Sequence, residues 1–438
     1  MLPVITIVGR PNVGKSTLFN LLTQSRDALV VDVPGVTRDR QYGEGKLGGR
    51  PYFVVDTGGI EESDDPEMAK LTDEQVLMAV EEADVIFFMV DAKAGLVPSD
   101  EIIAERLRRY QKKVVVLVNK VDRDSAAVVC SEFHGLGFAE PVAIAAKQGR
   151  GVEALIQETL SSFPDIEVTP QMEEGIRIAV VGRPNVGKST LINRMIGEDR
   201  LVVFDRPGTT RDTIKVSHEH RDKKYVLMDT AGVRRRRKIT DTVEKFSMIK
   251  TMQAMKVAQV VVVVVNAQEG LSEQDRRLLG IVNELGKALV IAFNKWDGMD
   301  EYDREQFKEA VERKLLFVDY ARRYTISALH GTGVGKLYHA IDEAYESIMK
   351  EIATPLLTKA LEKAVETHQP PLVKGRRVKL RYAHIGGHDP LVIVVHGKQT
   401  MSLPGSYKSY LSNYFRKAFD LRSIPVLIKF KNDENPYR

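Results

Sequence analysis

GRPNVGKSTL runs from Gly9 to Leu18 and recurs, letter for letter, from Gly182 to Leu191, 173 residues further along. The same offset carries PGVTRD at 34–39 onto PGTTRD at 207–212, and DTGG at 56–59 onto DTAG at 229–232. NKVD at 119–122 then matches NKWD at 294–297 with a small drift in register. Self-similarity over this length marks a duplicated domain and not a short solenoid repeat.

Around the motifs, apolar strand-like runs alternate with helix-length amphipathic stretches. Val4–Val8, Phe53–Asp56, Val85–Val90 and Val114–Val118 lead the first copy, and Arg177–Val181, Val226–Asp229, Val260–Val265 and Ala288–Phe293 lead the second. Continuous Val and Ile runs indicate strands buried on both faces, hence a largely parallel sheet covered by helices. The expected fold class is α/β: two tandem doubly wound P-loop domains, each with its ligand at the carboxyl ends of the strands. The first spans 1–164, an acidic linker covers 165–175, and the second spans 176–350. Residues 351–438 change rhythm, with strand-like runs at Val378–Tyr382 and Leu391–Val395, a helix opening at Pro404 and Gly405, and a last strand at Val426–Phe430. That order suits a small α+β domain.

A strand followed by G-x-x-x-x-G-K-S and a helix is a phosphate cradle, because the turn aims successive backbone N–H groups at the β- and γ-phosphates. The cradle residues are Gly9, Arg10, Pro11, Asn12, Val13, Gly14, Lys15, Ser16 and Thr17. Their counterparts are Gly182, Arg183, Pro184, Asn185, Val186, Gly187, Lys188, Ser189 and Thr190. Lys15 and Lys188 bring fixed positive charge, and Ser16 and Ser189 are placed to ligate Mg2+, with Thr37 and Thr210 joining the shell while the γ-phosphate is present. Asp56 and Asp229 end a strand, where a carboxylate holds Mg2+ through water. In the segments that follow, Thr57, Gly58, Gly59 and Ile60 in one copy and Thr230, Ala231, Gly232 and Val233 in the other, Gly59 and Gly232 can donate an N–H to the γ-phosphate. Loss of these contacts on hydrolysis releases both loops, a switch. The expected catalytic set is therefore Lys15, Thr37, Gly59, Lys188, Thr210 and Gly232.

N-K-x-D after a strand selects the base. The Asp122 or Asp297 carboxylate accepts from N1–H and the exocyclic amine of guanine, and adenine would leave it unpaired, a discrimination of about 10⁴ or more. Asn119 and Asn294 tie this loop to the cradle, and the stems of Lys120 and Lys295 cover the base. Ser327 and Ala328 follow a strand in the second copy and offer a backbone donor to guanine O6. Ala145 and Ala146 keep that donor but lack the hydroxyl, so a modestly weaker or more mobile guanine pocket is expected in the first domain. Ile60 and Val233 stand where many switch GTPases place a water-orienting Gln, and neither does acid–base chemistry. Two readings of Asn12 and Asn185 stand side by side: they brace the cradle, or they hold a K+ ion that replaces an arginine finger.

The net charge of +4 over 438 residues conceals an asymmetry. It is −11 over 1–174, +7 over 175–350 and +8 over 351–438, so the later regions either face a polyanion or carry solvated lysines. The dense run Arg234 to Lys238 is placed to meet RNA phosphates in one nucleotide state. The single cysteine, Cys130, excludes an intramolecular disulfide, and no run approaches a membrane span. The amino terminus reads directly as a strand without a basic leader, so a cytoplasmic protein without stable membrane association is expected. Tyr407, Tyr410, Leu411 and Tyr414 repeat at the spacing of a buried helix stripe, which favours core packing over base stacking.

Two such domains followed by a small α+β domain resemble the bacterial EngA/Der family of GTPases over essentially the whole chain. The resemblance rests on GRPNVGKS twice, PGxTRD twice, DTGG and DTAG, NKVD and NKWD, and SYKSYLSNYFRKAF at 406–419. It implies a factor in assembly of the large (50S) ribosomal subunit, with GTP state controlling how the domains sit on each other and on ribosomal RNA. It also implies potassium-stimulated hydrolysis in at least one domain and a KH-like C-terminal fold. The implied partners are the large subunit, its rRNA and ribosome-assembly proteins, with a monomer off the ribosome. The C-terminal region departs from the KH pattern by lacking a G-x-x-G loop, so docking of part of its surface on the second G domain is expected instead. A second reading, a GTPase gating tRNA modification or another RNA-processing activity, needs further catalytic residues that the motifs do not provide.

Overall fold

The computed structural model describes residues 2–23, 30–33, 40–45, 47–58, 79–121, 126–164, 175–197, 201–202, 215–228, 248–372 and 378–432. The chain forms two compact units, Met1–Pro170 and Gln171–Arg438.

The first unit runs β1 (Val4–Val8), α1 (Lys15–Thr23), β2 (Val30–Val33), β3 (Arg40–Gly45), β4 (Tyr52–Asp56), β5 (Val85–Asp91), α2 (Pro98–Arg108), β6 (Lys113–Asn119), α3 (Ala126–Glu132), β7 (Val142–Ala143) and α4 (Val152–Ser161). Its sheet has the order β2-β3-β4-β1-β5-β6-β7. Strands β4 to β7 and β1 are parallel, whereas β2 and β3 form an antiparallel edge. Alternate side chains of each central strand enter opposite cores, as a period of two requires. Ile5, Ile7, Phe87 and Met89 pack with Leu18 and Phe19 of α1 and Ile156 of α4, while Val8, Ile86, Phe88 and Val90 pack with Ile103 and Leu107 of α2. Both faces being covered, β1, β4 and β5 are buried throughout, which explains their unbroken apolar sequences.

The second unit repeats the pattern with β8 (Ile176–Val181), α5 (Lys188–Gly197), β9 (Leu201–Val202), β10 (Lys215–His220), β11 (Lys223–Met228), α6 (Met248–Val257), β12 (Val260–Asn266), α7 (Glu273–Glu284), β13 (Ala288–Asn294), α8 (Glu301–Lys314), β14 (Arg322–Thr325) and α9 (Val334–Met349). The strand order, read from the same edge, is β9-β10-β11-β8-β12-β13-β14. Sequence reading missed the antiparallel edges. RQYGEG in β3 and KVSHEH in β10 carry no apolar run; each is paired antiparallel on both sides through backbone groups that any residue supplies.

The same unit continues into α10 (Thr354–Thr367), β15 (Lys379–His388), β16 (Leu391–Lys398), α11 (Gly405–Ala418) and β17 (Leu427–Asn432). Strand β16 is central, antiparallel to β15 and parallel to β17. The stripe Tyr407, Leu411 and Phe415 of α11 packs with Leu357 and Leu361 of α10 on Ala383, Ile393, Val395 and Phe430, so the tyrosine pattern is core. Tyr407 and Tyr410 direct their hydroxyls to the carbonyls of His368 and Ala364 at the end of α10.

This α+β region docks on the second P-loop sheet through a continuous core and two ion pairs whose cations are buried. Lys287 Nζ lies 2.7 Å from Asp389, and Arg416 lies 3.0 Å from Asp319 and stacks over Tyr320. Ser423, fully buried, accepts from Leu289 N–H of β13 at 2.7 Å through its carbonyl and from Arg322 N–H of β14 at 3.3 Å through its hydroxyl.

Gly286, before β13, has φ +69°, and a Cβ there would come within 2.6 Å of Pro390 and 2.8 Å of Leu427. Gly286→Ala is expected to destabilise the second unit by about 1–3 kcal/mol. Gly280→Ala, inside α7 with nothing near an added methyl, should stabilise the same unit by about 0.5–1 kcal/mol. Denaturant unfolding of the full chain checks both, with the transition of the first unit unmoved.

Candidate nucleotide sites

Each cradle begins where β1 or β8 ends and the chain turns into α1 or α5. Gly9 and Gly182 sit against the Met89 and Val264 carbonyls, where any Cβ would collide. Gly14 and Gly187 have φ +105° and +98°, and a Cβ there would strike the side-chain amides of Asn119 and Asn294. Asn12 and Asn185 take left-handed φ values of 64° and 61°, which asparagine tolerates better than most residues. Val13 and Val186 are buried beneath the loops, while Asn12, Ser16 and Thr17 face outward, and Pro11, Pro184, Ser189 and Thr190 are half-buried or exposed.

Lys15 is buried at the helix start and donates from Nζ to the Arg10 carbonyl at 2.8 Å; Lys188 donates to the Arg183 carbonyl at 2.7 Å. Burial lowers the Lys15 pKa to about 8, opposed by the nearby Asp56 carboxylate. The arginines turn away from the cradle. Arg10 pairs with Asp100 of α2 at 3.4 Å, and Arg183 with Asp275 of α7 at 3.0 Å and Glu269 at 3.1 Å. Sequence reading missed these two buried aspartates; their only signal is an acidic residue in the first turn of the helix after β5 or β12.

Ser16 Oγ donates to Asp56 Oδ2 at 2.9 Å, and Gly58 N–H donates to Asp56 Oδ1 at 3.2 Å. Burial raises the Asp56 pKa despite these donors and Lys15. A hydroxyl, a buried carboxylate and helix N–H groups thus converge beside an ammonium. Among the described residues no cluster of three or more His, Cys, Asp or Glu forms a protein cage for a metal. The donors suit Mg2+ held by one hydroxyl, phosphate oxygens and water, with the carboxylate behind the water. Thr57 Oγ1 donates to the Ile7 carbonyl at 2.9 Å and so ties β4 to β1.

At the base end, Asn119 Nδ2 donates to the Val13 carbonyl at 2.8 Å while Oδ1 accepts from Ala146 N–H at 3.0 Å. Asn294 repeats this with Val186 at 2.8 Å and Ala328 at 2.9 Å. One carboxamide therefore joins three loops in each copy. Ala145 is buried in a bridge to Arg150. Lys120 and Lys295 follow in left-handed conformations, φ 68° and 63°. Lys120 Nζ donates to the Asn12 carbonyl at 2.8 Å and to Asp91 at 2.6 Å. The neighbouring Ser327 hydroxyl holds the Asp297 carboxyl below the usual range. Thr37, Gly59, Ile60, Asp122, Thr210, Asp229, Thr230, Ala231, Gly232, Val233 and the run Arg234 to Lys238 lie outside the described residues.

Residues 4–120 and 177–295 match the family described as 50S ribosome-binding GTPase, and residues 351–431 match the KH-domain-like C-terminal region of EngA bacterial GTPase enzymes. A GTPase Der of Coxiella burnetii (strain RSA 331 / Henzerling II) is 60% identical over 437 residues, covering 100% of this chain and 99% of that one. The chain belongs to the EngA/Der family of GTPases. The GTPase Der of Cellvibrio japonicus is 53% identical over 442 residues, covering 100% of this chain and 94% of that one. Among solved structures, Era of Aquifex aeolicus is 23% identical, with a TM-score of 0.33 over 64% of this chain and 99% of that one. As a member of the EngA/Der family, the protein binds GTP and hydrolyses it to GDP and phosphate, in two tandem GTPase domains followed by a KH-like domain. Among the described residues no helix is long and apolar enough to cross a membrane.

Phosphate binding needs the ammonium form of Lys15, and the pKa of about 8 sets the window. Relative to the ordinary 10.5, the folded chain binds fewer protons than the unfolded one between those values, so this group adds stability as pH rises through them. Nucleotide binding runs the other way. In a chain carrying Lys188→Ala, the Kd for GDP should rise about fourfold from pH 7 to 8.5. Calorimetry in buffers of different ionisation enthalpy should show proton uptake on binding at the higher pH.

Proposed function

We propose that this GTPase acts in biogenesis of the large (50S) ribosomal subunit, binding rRNA and rearranging its domains with nucleotide state. The observation that carries the reading is the pair of complete phosphate cradles in a chain of the Der family whose two copies differ sharply in charge. The first is acidic at −11, and the second and the KH-like region are basic at +7 and +8. A polyanion such as rRNA is attracted to the latter and repelled by the former. The family description of a 50S ribosome-binding GTPase supports the same assignment. The domains run 1–164, 176–350 and 351–438, joined by the linker 165–175, in a cytoplasmic monomer that meets the subunit and other assembly factors.

In each site, Lys15 or Lys188 and the cradle N–H groups grip the β- and γ-phosphates. Ser16 with Thr37, and Ser189 with Thr210, would hold Mg2+ with the support of Asp56 and Asp229, and the ion would supply positive charge that neutralises the phosphates during transfer. Gly59 and Gly232 donate to the γ-phosphate, and Asp122 and Asp297 read the guanine edge, flanked by Asn119, Lys120, Ala145 and Ala146 or by Asn294, Lys295, Ser327 and Ala328. Ile60 and Val233 carry no proton-transfer group, so hydrolysis rests on positioning and electrostatics. The Asn12 side chain is exposed while its carbonyl accepts from Lys120, which leaves the carboxamide to hold K+ beside the phosphates.

Sedimentation of cell extracts tests the ribosomal role. The unaltered chain should migrate with 50S particles in a nucleotide-dependent manner, and Lys15→Ala or Lys188→Ala should abolish that response. Migration away from the 50S peak in every nucleotide state would refute it. GTP turnover in K+ should exceed that in Na+ by about tenfold or more. Equal rates would return Asn12 and Asn185 to a purely bracing role.

A further inference from the structure

Asp91 and Asn266 occupy one position in the two repeats: β5 pairs Asp91 with Asn119, and β12 pairs Asn266 with Asn294. Both use Oδ1 to turn the chain, accepting from Lys93 N–H at 3.0 Å and from Gln268 N–H at 3.2 Å. Their second side-chain atoms have opposite polarity. Asp91 Oδ2 accepts from Lys120 Nζ at 2.6 Å, and that ammonium also donates to the Asn12 carbonyl of the cradle at 2.8 Å. Asn266 presents Nδ2, which cannot accept from Lys295 and instead donates to Glu269; Glu269 in turn pairs with Arg183 at 3.1 Å.

The other half of the motif shows the reverse. Ser327 Oγ accepts from His330 N–H at 3.2 Å, and the His330 ring so placed brings Nε2 to 3.5 Å from the Asp297 carboxylate. In the first repeat the residue at this place is Ala145, which has no hydroxyl to give.

We propose that the two sites fasten opposite halves of the N-K-x-D motif: Asp91 clamps Lys120 in the first, and Ser327, through His330, orients the base-reading Asp297 in the second. Both are positioning residues, and the inference rests on the reading above that guanine lies between these loops. The first site then retains nucleotide mainly through a lysine fixed between cradle and base. The second discriminates more sharply at the guanine amine, because the carboxylate that reads it is pre-oriented.

Stopped-flow release of a fluorescent (mant) GDP from the full chain tests this, with Lys188→Ala silencing the second site and Lys15→Ala the first. Asp91→Asn reproduces the residue that the second repeat already carries, so the fold accommodates it. In the Lys188→Ala chain it should speed release by about tenfold, as loss of a charge-assisted hydrogen bond would. That effect should disappear when Lys120→Met is also present; persistence would show that Asp91 acts through the fold and not through the ammonium. Inosine diphosphate lacks the guanine amine. Ser327→Ala in the Lys15→Ala chain should lower the GDP-to-IDP affinity ratio about three- to tenfold, and Ala145→Ser in the Lys188→Ala chain should raise it. Unchanged release with Asp91→Asn, or a ratio unmoved by both serine changes, overturns the proposal. If Lys188→Ala left both sites taking up nucleotide, the placement of the sites would itself be wrong.

Discussion

Each nucleotide site is organised by one buried carboxamide. Asn119 and Asn294 are each 3% exposed, and each gives its amide to the cradle while its oxygen accepts from the loop after the last strand of the sheet. A buried amide with either bond missing costs about 1–3 kcal/mol, so the three loops are mutually dependent and not separately adjustable. The glycines obey the same constraint. Gly14 and Gly187 lie where a side chain would displace that amide, so the cradle sequence and the base-reading sequence are two parts of one packed contact.

A second constraint fixes the cradle to the sheet's flank. Asp100 and Asp275 are fully buried, and each faces the arginine that follows the first cradle glycine. Arg183 Nε donates to Asp275 Oδ1 at 3.0 Å, a hydrogen-bonded pair that fixes the loop from which the arginine projects, whereas Arg10 and Asp100 meet as an ion pair at 3.4 Å. The two repeats anchor these aspartates differently. Asp275 also forms a capping box with Ser272 at the start of α7, whereas α2 starts at Val97 and Pro98 with no side-chain cap. The same tie between arginine and aspartate is therefore more rigidly mounted in the second repeat.

The repeated cradle, the central strands and the asparagine ties were legible in the sequence because each depends on residue types at fixed local spacing. Strands such as VVVVVVN at 260–266 announce burial on both faces. The antiparallel strands β3 and β10, one place in from the sheet edges, were not legible, since their pairing is carried by backbone groups that every residue possesses. Asp91 was equally hidden. A carboxylate at the end of a strand looks alike whether it turns the chain or holds a lysine 29 positions away, and only the fold brings Lys120 to it. The ties of Arg10 to Asp100 and of Ser423 to β13 and β14 are long-range in the same sense.

Strand β13 shows how the KH-like region and the second nucleotide site share one framework without competing for space. Its start, at Leu289, bonds to Ser423, and the adjoining Lys287 pairs with Asp389; its end carries Asn294 and Lys295 into the base-reading loop. At about 3.3 Å per residue the two ends stand roughly 20 Å apart. The strand is buried along its whole length and paired on both sides, so it has one packed position and no second one to switch to. The KH-like region is thus tied to the framework of the second cradle through one buried strand paired on both sides.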